Sequence, residues 1–241
     1  MTAGGQVGER AQLSRERYLA VLEDARARGF EFLRFGDFLP GAAALPERYV
    51  VLRHDVDFAP EFSVEMAEIE HDADIASTFF VLVDGGFYNP LDETVIWQVR
   101  RIHSLGHEVG LHFSAGDDIG FRLRLLSELV GAPVRSYAQH DPANAGFAQV
   151  ELPGCVDAYR VIRDHDLLYV SESAMRWRQH TFETALDEDR NLCLLAHAHS
   201  WLHPDDDYVS LIGEFRSREV EQVRKRFDEF IGALPGYYEQ R

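Results

Sequence analysis

The chain has 241 residues, 46% of them hydrophobic, which suits one sizeable globular domain with a substantial core. Its 24 Lys and Arg face 41 Asp and Glu, and a formal net charge of −17 argues against a nucleic-acid partner, since phosphate binding needs clustered positive charge. Two cysteines, Cys155 and Cys193, are too few for a disulfide framework. We find no signal-peptide pattern and no apolar run of membrane-spanning length, so we expect a cytoplasmic protein without a membrane partner.

Strand-like and helix-like segments alternate along the chain. Residues 1–9 are expected to be a disordered tail, and residues 10–241 a single domain. The predicted strands are Phe30–Phe35, Tyr49–His54, Ser77–Val83, His107–Phe113, Val134–Gln139, Leu167–Ser171 and Leu192–His197. The predicted helices are Ser14–Ala27, Pro60–His71, Asp92–Leu105, Asp118–Val130, Val156–His165 and Glu214–Leu234. The packing stripe of the last helix is Val220, Val223, Phe227, Phe230 and Ile231.

This alternation is typical of a parallel sheet with helices outside it. The length favours a closed or nearly closed β/α barrel over an open Rossmann sheet, and no Gly-x-Gly-x-x-Gly fingerprint follows a strand. We therefore predict an α/β fold, a distorted (β/α) barrel of about seven parallel strands. In such barrels the chemistry lies at the C-terminal ends of the strands, and the opposite end is structural.

Ionisable residues gather at those C-terminal strand ends. They are Asp55, Asp57, His112, His140, Glu172 and His197. By contrast, His107 and Glu108 open their strand and should lie at the structural end. Carboxylate and imidazole ligands suit Zn²⁺ or a neighbouring first-row divalent ion. With a further carboxylate to take a proton from water and a histidine to protonate the leaving group, the pattern predicts a metal-dependent hydrolase.

Three motifs carry a resemblance to a known family. They are Arg53-His54-Asp55-Val56-Asp57, Gly106-His107-Glu108-Val109-Gly110-Leu111-His112 and His197-Ala198-His199-Ser200-Trp201. Together they resemble the polysaccharide deacetylase superfamily, whose fold is called NodB-like, and most of all its divergent branch from bacterial O-antigen and polysaccharide loci. The resemblance spans about residues 49–203. It implies a divalent metal ion and the release of acetate from an N-acetylated sugar.

The resemblance also implies a role for each matching residue. Asp55 matches the family's catalytic base, Asp57 its metal-binding aspartate and His112 the first histidine of its metal pair. His197 resembles the late histidine that acts as general acid, with Trp201 as a wall of the pocket.

The second histidine of that metal pair would fall at position 116, where this chain has Gly116. We expect His140 to replace it, because it ends the next strand and the O-antigen branch has a Ser-x-His-x-Pro-like segment at about this place. Asp117 and Asp118 are the alternatives, although the helix that follows favours them as N-caps. The predicted metal ligands are therefore Asp57, His112 and His140.

Two assignments stay open. Arg53, which shares a strand face with Asp55, either holds that carboxylate ionised or forms a salt bridge that packs the barrel floor. His199 lies two residues beyond His197 and is the alternative general acid.

The sequence thus predicts a metal-dependent amide hydrolase, with zinc as the first expectation, that removes an acetyl or similar acyl group from a sugar or a sugar-derived small molecule. The alternative, which Gly116 favours, is a protein of the same fold that binds a ligand or catalyses a non-hydrolytic step in a biosynthetic pathway. An interaction protein without a site would leave the acidic strand end unexplained, because unpaired buried charge is costly.

Overall fold

The computed structural model describes residues 11–114, 118–146, 148, 150–203 and 207–239. Within these ranges the chain forms two compact units, 11–203 and 207–239. The expected tail, 1–9, lies outside the described residues, and a single domain over 10–241 stays a prediction. Among the helices of the described ranges, none combines the length and apolar character that crossing a bilayer requires.

The first unit is built on one wholly parallel, curled sheet. Its strands are β1 (Glu31–Leu33), β2 (Tyr49–Val56), β3 (Thr78–Leu82), β4 (Glu108–Phe113), β5 (Ser136–Gln139), β6 (Val156–Asp157), β7 (Leu168–Ser171) and β8 (Leu192–Leu195). Their order is β6-β5-β4-β3-β2-β8-β7, and β1 pairs with the first three residues of β2. The distorted (β/α) barrel of about seven parallel strands is confirmed. Over the described residues it is a half-barrel, because the sheet ends at β6 and β7 instead of closing.

Helices flank this sheet. They are α1 (Arg15–Ala27), α2 (Pro60–Asp72), α3 (Glu93–Ser104), α4 (Ile119–Val130), α5 (Pro142–Ala145), α6 (Ala158–Asp164), α7 (Phe182–Ala185) and α8 (Ala198–Leu202), with short 3-10 helices at Phe35–Phe38 and Ser173–Met175. N-cap side chains determine where several of these helices begin. The side chains of Ser14 and Asp92 accept backbone N–H groups in the first turns of α1 and α3, as N-caps do.

The central strands are buried on both faces, as expected of a parallel sheet covered by helices. All eight residues of β2 are buried, and so are all five of β3. Since side chains alternate along β2, Arg53 and Asp55 project to one face and His54 to the other. The sheet therefore delivers polar groups to two separate buried environments.

Some element boundaries differ from the prediction. The first strand is only Glu31–Leu33, and a 3-10 turn follows it. The predicted helix Val156–His165 begins two residues later, at Ala158, and Val156–Asp157 form strand β6 instead. The Asp157 side chain accepts the N–H groups of Tyr159 and Arg160 and so is the N-cap of α6.

The second unit consists of helix α9 (Tyr208–Glu239), which begins six residues before the predicted helix. Every residue from 216 to 233 is exposed. The predicted packing stripe is therefore exposed among the described residues. Its five residues are Val220, Val223, Phe227, Phe230 and Ile231.

Candidate functional site

Asp57, His112 and His140 come together at the C-terminal edge of the sheet. Asp57 follows β2 directly, His112 lies near the end of β4, and His140 follows β5. One potential ligand atom from each residue lies within 4.8 Å of the other two. Parallel strands in register bring these ends to the same edge of the sheet. His112 and His140 therefore meet Asp57, although they follow it by 55 and 83 positions in the sequence. The structure thus brings together the three residues that the sequence predicted as ligands.

The donor atoms of this cluster face one another. Asp57 Oδ1 lies 3.2 Å from His140 Nδ1 and 3.4 Å from His112 Nε2, and the two ring nitrogens are 3.3 Å apart. His112 Nδ1 donates a hydrogen bond to the Ala138 carbonyl at 2.7 Å. That bond places the ring proton on Nδ1 and leaves the lone pair of Nε2 directed into the cluster, the arrangement of a metal-ligating histidine.

The electrostatics of Asp57 fit a cation site. Burial opposes ionisation, but contacts with His112 and His140 outweigh burial and hold the pKa of Asp57 well below its usual range. The contact with Asp57 raises the pKa of His140, against the effect of its partial burial. Asp57 Oδ1 is itself buried and faces the ring nitrogens of His140 and His112 at 3.2 and 3.4 Å. A buried carboxylate oxygen of this kind beside two imidazole nitrogens is a donor set that suits a divalent ion.

The alternative ligands behave differently. Asp118 accepts the N–H of Phe121 at 2.9 Å and is the N-cap of α4, as its position before a helix predicts. Gly116 and Asp117 lie outside the described residues.

Arg53 and Asp55 form a buried, two-pronged ion pair beside this cluster. Arg53 Nε lies 2.7 Å from Oδ1 of Asp55, and Nη2 lies 2.9 Å from Oδ2. The Arg53 guanidinium also lies over the rings of Phe80 and Tyr159 in cation–π contact. Burial raises the pKa of Asp55, but Arg53 and His112 outweigh burial and lower it. Arg53 therefore does both things that the sequence left open: it keeps Asp55 ionised and packs the barrel interior.

His197 lies on the far side of Asp57, with its Nε2 3.9 Å from Asp57 Oδ2. Its backbone N–H donates to Glu172 Oε1 at 2.6 Å, and its Nδ1 lies 3.0 Å from Glu172 Oε2. Burial lowers the pKa of His197, but the Glu172 carboxylate outweighs burial and raises it to about 9. Glu172 had no role in the predicted site. Its place just after strand β7, at the C-terminal edge of the sheet, was the available signal.

Trp201 also contacts Glu172, donating its indole N–H to Oε1 at 3.1 Å. The indole is fully buried and packs against Tyr18, Trp177 and Phe182. The family resemblance implied that Trp201 is a wall of the pocket. Instead, its burial makes it part of the core that holds Glu172.

His199 occupies a less polar environment than His197. Its ring packs on Phe58 with 4.2 Å between centroids, and burial together with the neighbouring His197 lowers its pKa to about 3. A histidine in this state is neutral at physiological pH.

A second buried polar network lies on the other face of β2. His54 Nδ1 donates to the Ala196 carbonyl at 2.8 Å, and its Nε2 lies 2.7 Å from Glu70 of α2. The hydroxyl groups of Tyr18 and Ser77 also donate hydrogen bonds to the carboxylate of the fully buried Glu70. Since Ala196 directly precedes His197, this network fixes the backbone that carries the candidate acid.

Glu108 and His107 lie at the opposite end of the sheet, where both bond to neighbouring elements. Glu108 accepts the N–H of Gly36 at 2.7 Å and the hydroxyl of Thr78 at 2.8 Å. His107 donates from Nε2 to the Ala67 carbonyl at 2.9 Å. These bonds tie β4 to neighbouring elements and leave both residues away from the ligand cluster.

No protein-family model matches the sequence, and no curated protein matches it. Solved structures do. A wild-type CE4 family pseudoenzyme from Bacillus anthracis is 14% identical with a TM-score of 0.39, over 72% of this chain and 63% of that chain. This chain thus spans less than two thirds of that protein's length.

Two further structures resemble this chain. A family 4 acetyl xylan esterase from Clostridium thermocellum, in complex with a cobalt ion, is 14% identical with a TM-score of 0.40, over 70% of this chain and 84% of that chain. The catalytic domain of a peptidoglycan N-acetylglucosamine deacetylase from Eubacterium rectale is 13% identical with a TM-score of 0.40, over 76% and 90%. At such values these neighbours do not assign an activity, which has to be argued from the site.

Proposed function

We propose that the protein is a metal-dependent hydrolase that removes an acetyl or similar acyl group from an amide nitrogen of a sugar or a sugar-derived small molecule. The observation that carries this proposal is the convergence of Asp57, His112 and His140 beside a second carboxylate, Asp55, and a third histidine, His197. Asp57, His112 and His140 would hold a divalent ion, with zinc as first candidate, which would supply polarisation of an acyl carbonyl and a lower pKa for water.

Asp55 is the proposed proton acceptor. Its Oδ2 lies 3.5 Å from His112 Nε2, at the edge of the ligand cluster, and Arg53 keeps the carboxylate ionised. The same ion pair lowers the pKa of Asp55, so the carboxylate is ready to accept a proton but is a weak base. Arg53 acts as a positioning residue, because it fixes both carboxylate oxygens.

His197 is the proposed proton donor to the departing nitrogen. Glu172 binds its Nδ1 and its backbone N–H, which leaves Nε2 directed towards Asp57 and the ligand cluster. A carboxylate behind an imidazole orients the ring and stabilises its protonated form. Burial and the neighbouring His197 lower the pKa of His199 to about 3, whereas Glu172 raises that of His197 to about 9, which favours His197 over His199 as the donor.

The substrate and location are proposed on chemical grounds. The expected substrate is a small, soluble N-acylated sugar or derivative and not a cell-wall polymer, because we infer a cytoplasmic location and a compact single domain. The strongly acidic surface disfavours anionic polymers such as nucleic acids.

The test is acetate release from N-acetylated amino sugars by the protein purified without added metal and then loaded with Zn²⁺, Co²⁺ or Mn²⁺. We expect release only with metal, and none from Asp55→Asn. Glu68→Gln, an exposed carboxylate on α2, serves as the control variant and should behave as wild type. Release that is equal with and without metal would refute the proposal.

The second candidate function is ligand binding without hydrolysis, which Gly116 at the position of the family's second histidine favours. It predicts a protein that binds both metal and an N-acetylated sugar but releases no acetate with any of the three ions. Calorimetric titration with N-acetylglucosamine, run beside the acetate assay, separates the two candidates.

A further inference from the structure

Helix α9 carries an apolar stripe with the spacing of a coiled coil. Val220, Val223, Phe227 and Phe230 follow one another at intervals of three, four and three residues, which correspond to a and d positions of a heptad. Their side chains are between 44% and 66% exposed, and Ile231 adds a fifth apolar group beside them at 58%. The stripe is therefore a continuous apolar surface on the helix.

This surface is large enough to need a partner. The exposed stretch from 216 to 233 spans about 27 Å, and an isolated helix of this length is only marginally stable in water. If its five apolar side chains carry about 150–200 Å² each, their exposed area is about 500 Å². A matching stripe on a second copy would bury about 1,000 Å² in total, which is the lower limit for a specific interface.

We propose that α9 pairs with α9 of a second copy of this chain as a short parallel coiled coil, so that the protein is a dimer. The charged residues beside the stripe favour this occupant. With Val220 at position a, Glu219 occupies position g and Arg224 position e. In a parallel pair in register, each residue at position g faces the residue at position e that lies five positions later on the partner helix. Glu219 of each copy therefore faces Arg224 of the other copy.

The same charges disfavour an antiparallel pair. Antiparallel helices bring e against e and g against g. With the four apolar layers aligned, Arg224 of one copy would face Arg224 of the other, and Arg226 would likewise face Arg226. The repulsion between these arginines disfavours the antiparallel pairing. Arg224 also lies 3.0 Å from Glu221 of its own helix, but both side chains are about two-thirds exposed, and such a pair exchanges readily.

Sedimentation equilibrium of the full chain between about 5 and about 200 µM tests the dimer. We expect a concentration-dependent monomer–dimer equilibrium for the wild type and monomer only for Val223→Glu, which places a charge in the core. Gln222→Glu adds the same charge on the outer face and should remain dimeric. Circular dichroism of each variant checks that the fold is kept. A wild type that is monomeric throughout, or a dimer that survives Val223→Glu, would overturn the proposal.

Charge reversal and cross-linking test the direction. Glu219→Arg or Arg224→Glu alone should weaken the dimer about fivefold, and the double variant should recover wild-type affinity. In a Cys155→Ser background, Val220→Cys should form an intermolecular disulfide under mild oxidation, whereas Lys225→Cys, on the outer face, should not. A double variant no stronger than either single variant, or no cross-link at position 220, would overturn the parallel arrangement.

Discussion

Glu172 holds His197 at two points: Oε1 accepts the backbone N–H of His197 at 2.6 Å, and Oε2 lies 3.0 Å from its Nδ1. The carboxylate is fully buried, and Trp201 donates a third bond to it. Because one side chain fixes both the backbone and the ring, the direction of His197 Nε2 depends on Glu172.

The first prediction concerns proton donation. Glu172→Gln keeps the shape of the side chain but removes its charge, and His197→Ala removes the donor. Both should lower kcat/KM for N-acetylglucosamine by about 100-fold. Both should have a much smaller effect on 4-nitrophenyl acetate, whose leaving group needs no proton. Glu183→Gln, a partly exposed carboxylate paired with Arg17, is the control and should leave both rates unchanged. Equal losses on the two substrates would rule out His197 as the acid.

The second prediction separates Asp55 from the metal ligands. Asp55→Asn should retain the metal ion, because Asp57, His112 and His140 remain, while turnover falls by about 100-fold or more through loss of the proton acceptor. Metal content and acetate release are measured on the same sample. A variant that keeps its metal and its full activity would eliminate Asp55 as the base.

The third prediction concerns Glu70 and pH. His54 and Ser77 outweigh burial and lower the pKa of Glu70, so its charged form stabilises the folded state above the unfolded pKa of about 4.3, and this contribution is lost as the pH falls through the lower folded value. Urea titrations should show Glu70→Gln destabilised by about 3 kcal/mol at pH 7. The difference from wild type should shrink below about pH 4.

The matched control for Glu70 is Glu68→Gln on the same helix. Glu68 pairs with Arg101, and both side chains are 40% or more exposed, so this change should cost under about 1 kcal/mol. A Glu70→Gln deficit that stays constant from pH 7 to about pH 3 would show that the carboxylate charge contributes nothing.

The fourth prediction concerns Gly110 in β4, two residues before His112. A Cβ at this position would lie 2.4 Å from Phe80 Cε1 and 2.7 Å from Ser136 Oγ. Gly110→Ala should therefore destabilise the fold by about 1–3 kcal/mol through overpacking. Gly120→Ala in α4 meets nothing closer than 3.5 Å and should be neutral or stabilising, since alanine favours a helix. Thermal unfolding of the two variants checks this, and equal melting temperatures would contradict it.

Much of the fold and of the ligand cluster was predictable because the signals are local. The run Tyr49–His54 predicts a buried strand on its own, and the structure extends it to Val56. Polar residues at the ends of parallel strands must meet at one edge. Asp57, His112 and His140 were found in this way. Helix α8 was missed because its five residues are too few for an apolar period to show.

Other features depend on packing that local patterns do not specify. Glu172 and His197 are 25 residues apart, and their contact depends on how β7 pairs with β8. The bond between His54 and Glu70 depends on where α2 lies against the sheet. The periodicity of α9 identified its apolar side but not what covers that side, so the predicted packing stripe was found exposed.

The most direct test of the account is the metal content of protein purified without added metal and dialysed against buffer containing zinc. We expect about one ion per chain in the wild type, and loss of that ion in Asp57→Asn and in His140→Ala. His103→Ala, an exposed histidine on α3, should keep it. Elemental analysis gives the stoichiometry. If His140→Ala holds as much zinc as His103→Ala, the proposed ligand set is wrong, and a wild type without stoichiometric metal would contradict the metal-dependent function itself.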